Sequence, residues 1–147
     1  MALRSFQVRP VRGADAPGCA ELVTQLGYPT SLDQMQTRLR VLASHDAVGF
    51  VAEVPDRALL GLAGGSITAA WESDRPFGRL DVLIVHDAAR GTGVGSALVA
   101  AVEEWARARG AGNLVLTSGK QRHEAHRFYA ARGYEATGIR LIKRLMA

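Results

Sequence analysis

The chain has 147 residues, one domain by length and enough to bury a sizeable core. Its formal charge of +4 comes almost wholly from arginine, Lys120 and Lys143 being the only lysines; the arginines are scattered, with no interleaved aromatic stripe, which argues against a nucleic-acid surface. No apolar run is long enough to cross a membrane, nothing behind Met1 reads as a signal peptide, and the lone Cys19 cannot form an internal disulfide, so a cytoplasmic protein is expected.

In chain order, Phe6 to Val11 alternates apolar and polar and predicts a first strand, at an edge because of Pro10. Asp15 is placed as the N-cap of a helix that carries Cys19, Leu22, Val23 and Leu26 inward and stops at Gly27. Ser31 with Gln34 forms a capping box for a second helix burying Leu32, Met35, Leu39 and Leu42. Phe50 to Val54 and Leu60 to Trp71 read as strands around the turn Pro55-Asp56-Arg57. Gly61, Gly64 and Gly65 predict a bend or bulge in the second.

The apolar run Leu80 to Val85 predicts a strand, and Gly93 to Arg109 a helix ended by Gly110. Asn113 to Thr117 is a short strand and Arg122 to Arg132 a helix with Ala125, Phe128 and Tyr129 on its apolar side. Tyr134 to Ala136 and Ile139 to Leu145 are expected as the last strands. The order βααβββαβαββ implies a mixed sheet with helices on both faces.

Chemistry concentrates in Arg90-Gly91-Thr92-Gly93-Val94-Gly95-Ser96, between the strand and the long helix. Unpaired N–H groups at a helix start converge on one point, the helix dipole adds partial positive charge, and glycines let a phosphate approach the backbone. A P-loop needs Lys-Ser/Thr after its last glycine, but Gly95 is followed by Ser96-Ala97; the dinucleotide fingerprint needs G-x-G-x-x-G, but the glycines fall at 91, 93 and 95. What remains is Arg-x-x-Gly-x-Gly.

That motif resembles the pyrophosphate-binding turn of the GNAT superfamily of acetyl-CoA-dependent N-acetyltransferases. Ala125-His-Arg-Phe-Tyr-Ala-Ala-Arg-Gly-Tyr134 is similar to the family's late-helix signature, and the element order agrees along nearly the whole chain. The resemblance implies one N-acetyltransferase domain over 1–147. Its α/β (α+β) fold would be a central mixed, mostly antiparallel sheet of six to seven strands flanked by four helices. It implies acetyl-CoA as co-substrate and no metal, with main-chain contacts to the pantetheine arm at Leu83, Ile84 and Val85 and the pyrophosphate on Arg90 to Ser96. Arg122, Ala125 and Phe128 would join the cofactor site, and Tyr129 would receive the departing CoA thiolate. Asp87 stands where the family usually has proline, and Arg122 where it often has asparagine.

A thiol with pKa near ~8.5 is a stronger acid than a phenol near ~10, so full proton transfer from Tyr129 is uphill by about 2 kcal/mol, and a hydrogen bond to the thiolate is as good a reading. An alkyl amine is only about 0.04% neutral at pH 7, so a base or a desolvating pocket must remove its proton. Asp81 is the first candidate, placed on the face of Leu83 and Val85 by period two; Glu72 and Glu53 are weaker ones. His123 and His126 lack a third ligand nearby in sequence, and His45 and His86 read as surface.

The resemblance implies that the acceptor is a primary amine of a small molecule or peptide, its identity left open. Leu26, Tyr28, Trp71 and Phe77 argue mildly against a polycation. Dimerisation is common in the family and nothing in the sequence decides it. A non-catalytic CoA-binding protein on the same fold is the alternative.

Overall fold

The computed structural model describes residues 5–118 and 120–146, and the chain forms two compact units, Met1–Val115 and Leu116–Ala147. The first holds a five-stranded sheet: β1 (Gln7–Pro10), β2 (Ala47–Glu53), β3 (Leu59–Thr68), β4 (Phe77–Val85) and β5 (Leu114–Val115), in that spatial order. Every pairing is antiparallel except β4 with β5. β1 lies at an edge with Pro10 as its last residue, where a missing N–H costs no central ladder bond.

Two helices, α1 (Ala16–Leu26) and α2 (Leu32–Ala43), cover one face of this sheet. Ala16, Cys19, Ala20 and Leu22 of α1 and Met35 of α2 pack with Val51, Leu62 and Ile84. Gly27 ends α1 at φ 116°, and the predicted capping box of α2 is formed in both directions. Leu32 and Leu42 are half exposed rather than buried, because α2 turns mainly Met35 and Leu39 to the core.

The other face carries α3 (Val94–Ala108), whose buried residues are Val94, Leu98, Val99, Val102 and Ala106. It lies close because β3 offers glycine there. A Cβ on Gly61 would stand 2.8 Å from Leu98 Cδ1 and 3.1 Å from Val94 Cγ1, and one on Gly65 2.7 Å from Val102 Cγ1. Four residues of strand span about 13 Å and eight residues of helix about 12 Å, so the two glycines meet Val94 and Val102 in step.

The expected bulge is present, but its extra residue belongs to β4. Gly64 pairs with Val82 and Gly65 with Leu80, leaving Asp81 unmatched. Leu80, opposite Gly65, and Leu83 and Val85, opposite Ala63 and Gly61, therefore share the α3 side, whereas Val82 and Ile84 pack with α1 and α2. The alternation that put Asp81 on the face of Leu83 and Val85 is interrupted at Asp81 itself.

The second unit contains α4 (His123–Ala130). Six or seven strands were expected, and five are formed among the described residues. Tyr134 to Ala136 and Ile139 to Leu145 make no strand, and Ile139, Leu141, Ile142 and Leu145 are at least 75% exposed. Their alternation carries strand propensity, but a strand exists only as a paired state, and no described strand pairs with them. β3 also stops at Thr68, short of Trp71, which stands fully exposed in the β3–β4 loop.

Candidate functional site

The geometry of the first unit turns on how briefly β4 and β5 stay together. They pair in parallel only at Gly78 with Leu114 and Arg79 with Val115. From Leu80 to Val85 the outer edge of β4 has no strand partner among the described residues, a free ladder of about 20 Å that includes Leu83, Ile84 and Val85. An extended chain laid there can exchange main-chain hydrogen bonds as an added strand would.

The upper end of that edge runs into the glycine turn. After Val85 comes one 3₁₀ turn, Asp87–Ala89, closed by the Ala88 N–H donating to His86 Nδ1 at 3.1 Å. Gly91 (φ 76°) and Gly93 (φ 88°) then take left-handed conformations, and a Cβ on either would meet nothing within 4 Å. Gly93 is the N-cap of α3 and no side chain caps the helix; the Ala97 N–H is the first to reach back, to Gly93 O. The N–H groups of Val94, Gly95 and Ser96 thus open α3 without intrahelical acceptors, the arrangement that suits a helix start to an anion. Thr92 is tied inward, its hydroxyl and N–H both donating to Ala89 O. Arg90 is exposed at the mouth and pairs with Asp87 at 3.1 Å.

Asp81 is exposed, and its side chain has no hydrogen bond or ion pair with any described residue. Of the weaker base candidates, Glu72 is exposed in the β3–β4 loop, and Glu53 is engaged. Arg9 donates to both oxygens of Asp15 at 2.8 Å and also to Glu53, tying β1, the turn before α1 and β2 together. Hydrogen bonds from Arg9 hold both carboxyls below the usual range, so Glu53 is a poor proton acceptor. Asp15 was expected to cap α1; its carboxylate instead accepts from the Arg12 N–H and pairs with Arg9. Spacing could not reveal this triad, because its members sit on three separate elements.

In the second unit, Ala125, Phe128 and Tyr129 share the half-buried side of α4. The Tyr129 ring meets Phe128 and Tyr134 edge to face, with centroids 5.2 and 5.7 Å away. Burial raises the Tyr129 phenol above its ordinary value, against the opposing charge of Arg122. No described residue hydrogen-bonds its hydroxyl. Arg122 is the N-cap residue of α4 and exposed. His123 and His126 stack edge to face, and no metal-holding group occurs among the described residues. His45 and His86 are exposed, as expected.

Described residues of the first unit also line clefts. One of about 390 Å³ is lined by Asp15, Glu21, Gln25, Arg57 and His86; one of about 340 Å³, by the β3–β4 loop, is lined by Glu72, Arg75, Phe77, Asn113 and Val115.

The sequence profile of the Acetyltransferase (GNAT) family matches residues 18–134. An aminoglycoside N(6')-acetyltransferase type 1 of Stenotrophomonas maltophilia is 30% identical over 133 residues, which span 88% of this chain and 86% of that protein. An aminoalkylphosphonate N-acetyltransferase of Salmonella typhimurium is 40% identical over 69 residues, 47% of this chain and 45% of the relative. Among solved structures, the aminoglycoside N-acetyltransferase AAC(6')-Iy in complex with CoA superposes with a TM-score of 0.86 at 20% identity, covering 98% of this chain and 97% of that one.

Proposed function

This chain belongs to the GNAT acetyltransferase family, and we propose that residues 1–147 act as one domain that moves the acetyl group of acetyl-CoA to a primary amine of a small molecule or peptide by direct attack. Acetyl-CoA is the co-substrate, and it supplies a thioester carbonyl already activated toward amines. The observation that carries the residue assignment is the free edge of β4 leading into the uncapped start of α3 beside Arg90.

In this reading the main chain of Leu83, Ile84 and Val85 binds the pantetheine amides as an added strand, and an N–H near Val85 polarises the carbonyl. The N–H groups of Val94, Gly95 and Ser96, with Arg90 and the open turn at Gly91 and Gly93, hold the pyrophosphate. Asp81 takes the amine proton, directly or through water; the bulge gives it a position outside the ladder, and no described residue pairs with it as Arg9 pairs with Glu53. Tyr129 donates a hydrogen bond to the departing thiolate. Its raised phenol favours that role over full proton transfer, because the gap to a thiol widens.

For the acceptor, the two curated relatives are named for aminoglycosides and aminoalkylphosphonates. Tyr28 and Trp71 are exposed aromatics that suit a mostly apolar acceptor carrying one amine better than a polycation. The test has two stages. Thermal melting with CoA and acetyl-CoA should show a shift that Arg90→Ala reduces; saturation at a hundred times Kd stabilises by about 2.7 kcal/mol. Thiol release is then read with an aminoglycoside, an aminoalkylphosphonate, amino acids and a peptide. No melting shift with either form of CoA would sink the reading, and turnover highest with the aminoglycoside would overturn its acceptor half.

A further inference from the structure

We propose that Asp87 weakens the grip of the site on CoA by occupying Arg90, an inference that rests on the acetyl-CoA reading above. Asp87 opens the 3₁₀ turn that follows β4, and Arg90 is its C-cap. With three residues per turn, side chains i and i+3 of a 3₁₀ helix eclipse, so this turn stacks the carboxylate over the guanidinium. The structure shows the consequence: Asp87 Oδ1 lies 3.1 Å from Arg90 Nη2.

A carboxylate and a phosphate ask the same thing of an arginine, two oxygens presented to one fork of N–H donors. Asp87 thus behaves as an internal substitute for the ligand. A pyrophosphate arriving at the open start of α3 must share Arg90 with it or displace it, and the retained carboxylate adds a like charge beside the incoming one. The contact is a single one between side chains that are each about two-thirds exposed, so it restrains Arg90 little. Competition therefore outweighs any benefit from pre-positioning. Arg107–Glu104 on α3 has the same i, i+3 spacing, but it lies near the far end of that helix and answers to no anion site.

An exposed pair of this kind is worth up to about a five-fold change in an equilibrium, which bounds the effect. The test is calorimetric titration of CoA into the parent chain, Asp87→Asn, Arg90→Ala and the double variant, with melting temperatures confirming that each is folded. Asp87→Asn keeps the shape of the side chain and removes its charge. It should tighten CoA about two- to five-fold when Arg90 is present and change it by less than about 1.5-fold when position 90 is alanine. The tightening should shrink as salt is raised from about 50 to 500 mM, because both charges face solvent.

Three results would overturn the proposal. Weaker binding by Asp87→Asn would make Asp87 an orienting partner of Arg90. Equal tightening in both backgrounds would mean that Asp87 repels the phosphates without involving Arg90. No CoA binding by the parent chain would refute the acetyl-CoA reading, and this inference with it.

Discussion

The approach of α3 to the sheet can be tested with two methyl groups. Gly61→Ala places a Cβ 2.8 Å from Ile84 O and from Leu98 Cδ1, and 3.1 Å from Val94 Cγ1. Gly65→Ala places one 2.7 Å from Val102 Cγ1 and 3.3 Å from Arg79 O. Real Cβ atoms essentially never come within 3.0 Å of such atoms, as one would here in each variant, so the helix must lift or its side chains must leave their rotamers. Overpacking of this kind costs about 1–3 kcal/mol. At about 4 °C per kcal/mol for a unit of this size, each variant should melt roughly 4–12 °C below the parent.

The two variants should part company in function. Val94 is the first residue of α3 and its N–H is one of those proposed to hold the pyrophosphate, whereas Val102 lies two turns further on. Gly61→Ala should therefore weaken CoA binding by about ten-fold, the cost of moving backbone donors a few tenths of an ångström off their target. Gly65→Ala should leave it within about two-fold. Differential scanning fluorimetry and calorimetric titration of both variants decide the matter. Equal losses of affinity would show that α3 responds as a rigid rod, and an unchanged melting temperature for Gly61→Ala would refute the close approach itself.

Tyr129→Phe should lower turnover about ten- to hundred-fold in the thiol-release assay while CoA binding persists; unchanged turnover would remove the phenol from the reaction. Because burial raises its pKa, the phenol stays protonated past its ordinary value, and the pH–rate profile should show no loss from its ionisation below about pH 10. Asp81→Asn should cut turnover at pH 7 by about a hundred-fold, with partial recovery at high pH where the amine is already neutral; a flat response would exclude Asp81 as the base. Asp15 carries a lowered pKa, chiefly through its hydrogen bonds from Arg9, so its stabilising effect is complete above the unfolded carboxyl pKa near ~3.9 and is lost as pH falls through the folded value. Asp15→Asn should therefore melt lower at neutral pH and show a flatter acid limb, measured as melting temperature from pH 7 to pH 2. The Cys19 thiol is fully buried and pushed up to about 11 by desolvation, so a disulfide reagent should titrate no thiol in the native chain and one after unfolding.

Local chemistry made much of this molecule legible in the sequence. Ser31 with Gln34, Gly27 and the four-residue steps of α3 each declare a helix boundary or face through contacts a few residues away, and each formed where expected. The glycine turn was legible for the same reason, since positive φ at Gly91 and Gly93 is a property of single residues. What escaped depended on partners distant in sequence. Ile139 to Leu145 carries strand propensity without a described strand to pair with, and Glu53 reads as a free carboxylate until β1 brings Arg9 beside it.

Asp81 shows the limit most sharply. Period two along Leu80 to Val85 assigns it a face, yet alternation holds only while a ladder stays in register. The register is set by β3, where Gly64 and Gly65 let one more residue of β4 be accommodated opposite them. The same slip that removes Asp81 from the pattern carries Leu83 and Val85 onto the α3 side, and it falls just where β5 leaves β4 at Arg79. On the function proposed above, a base at Asp81 and a pantetheine ladder at Leu83 to Val85 would share one short strand because the bulge separates them. Deleting Asp81 should restore regular pairing, raise thermal stability and abolish turnover; a deletion variant that still acetylates at the parent rate would show that neither the residue nor the slip serves the chemistry.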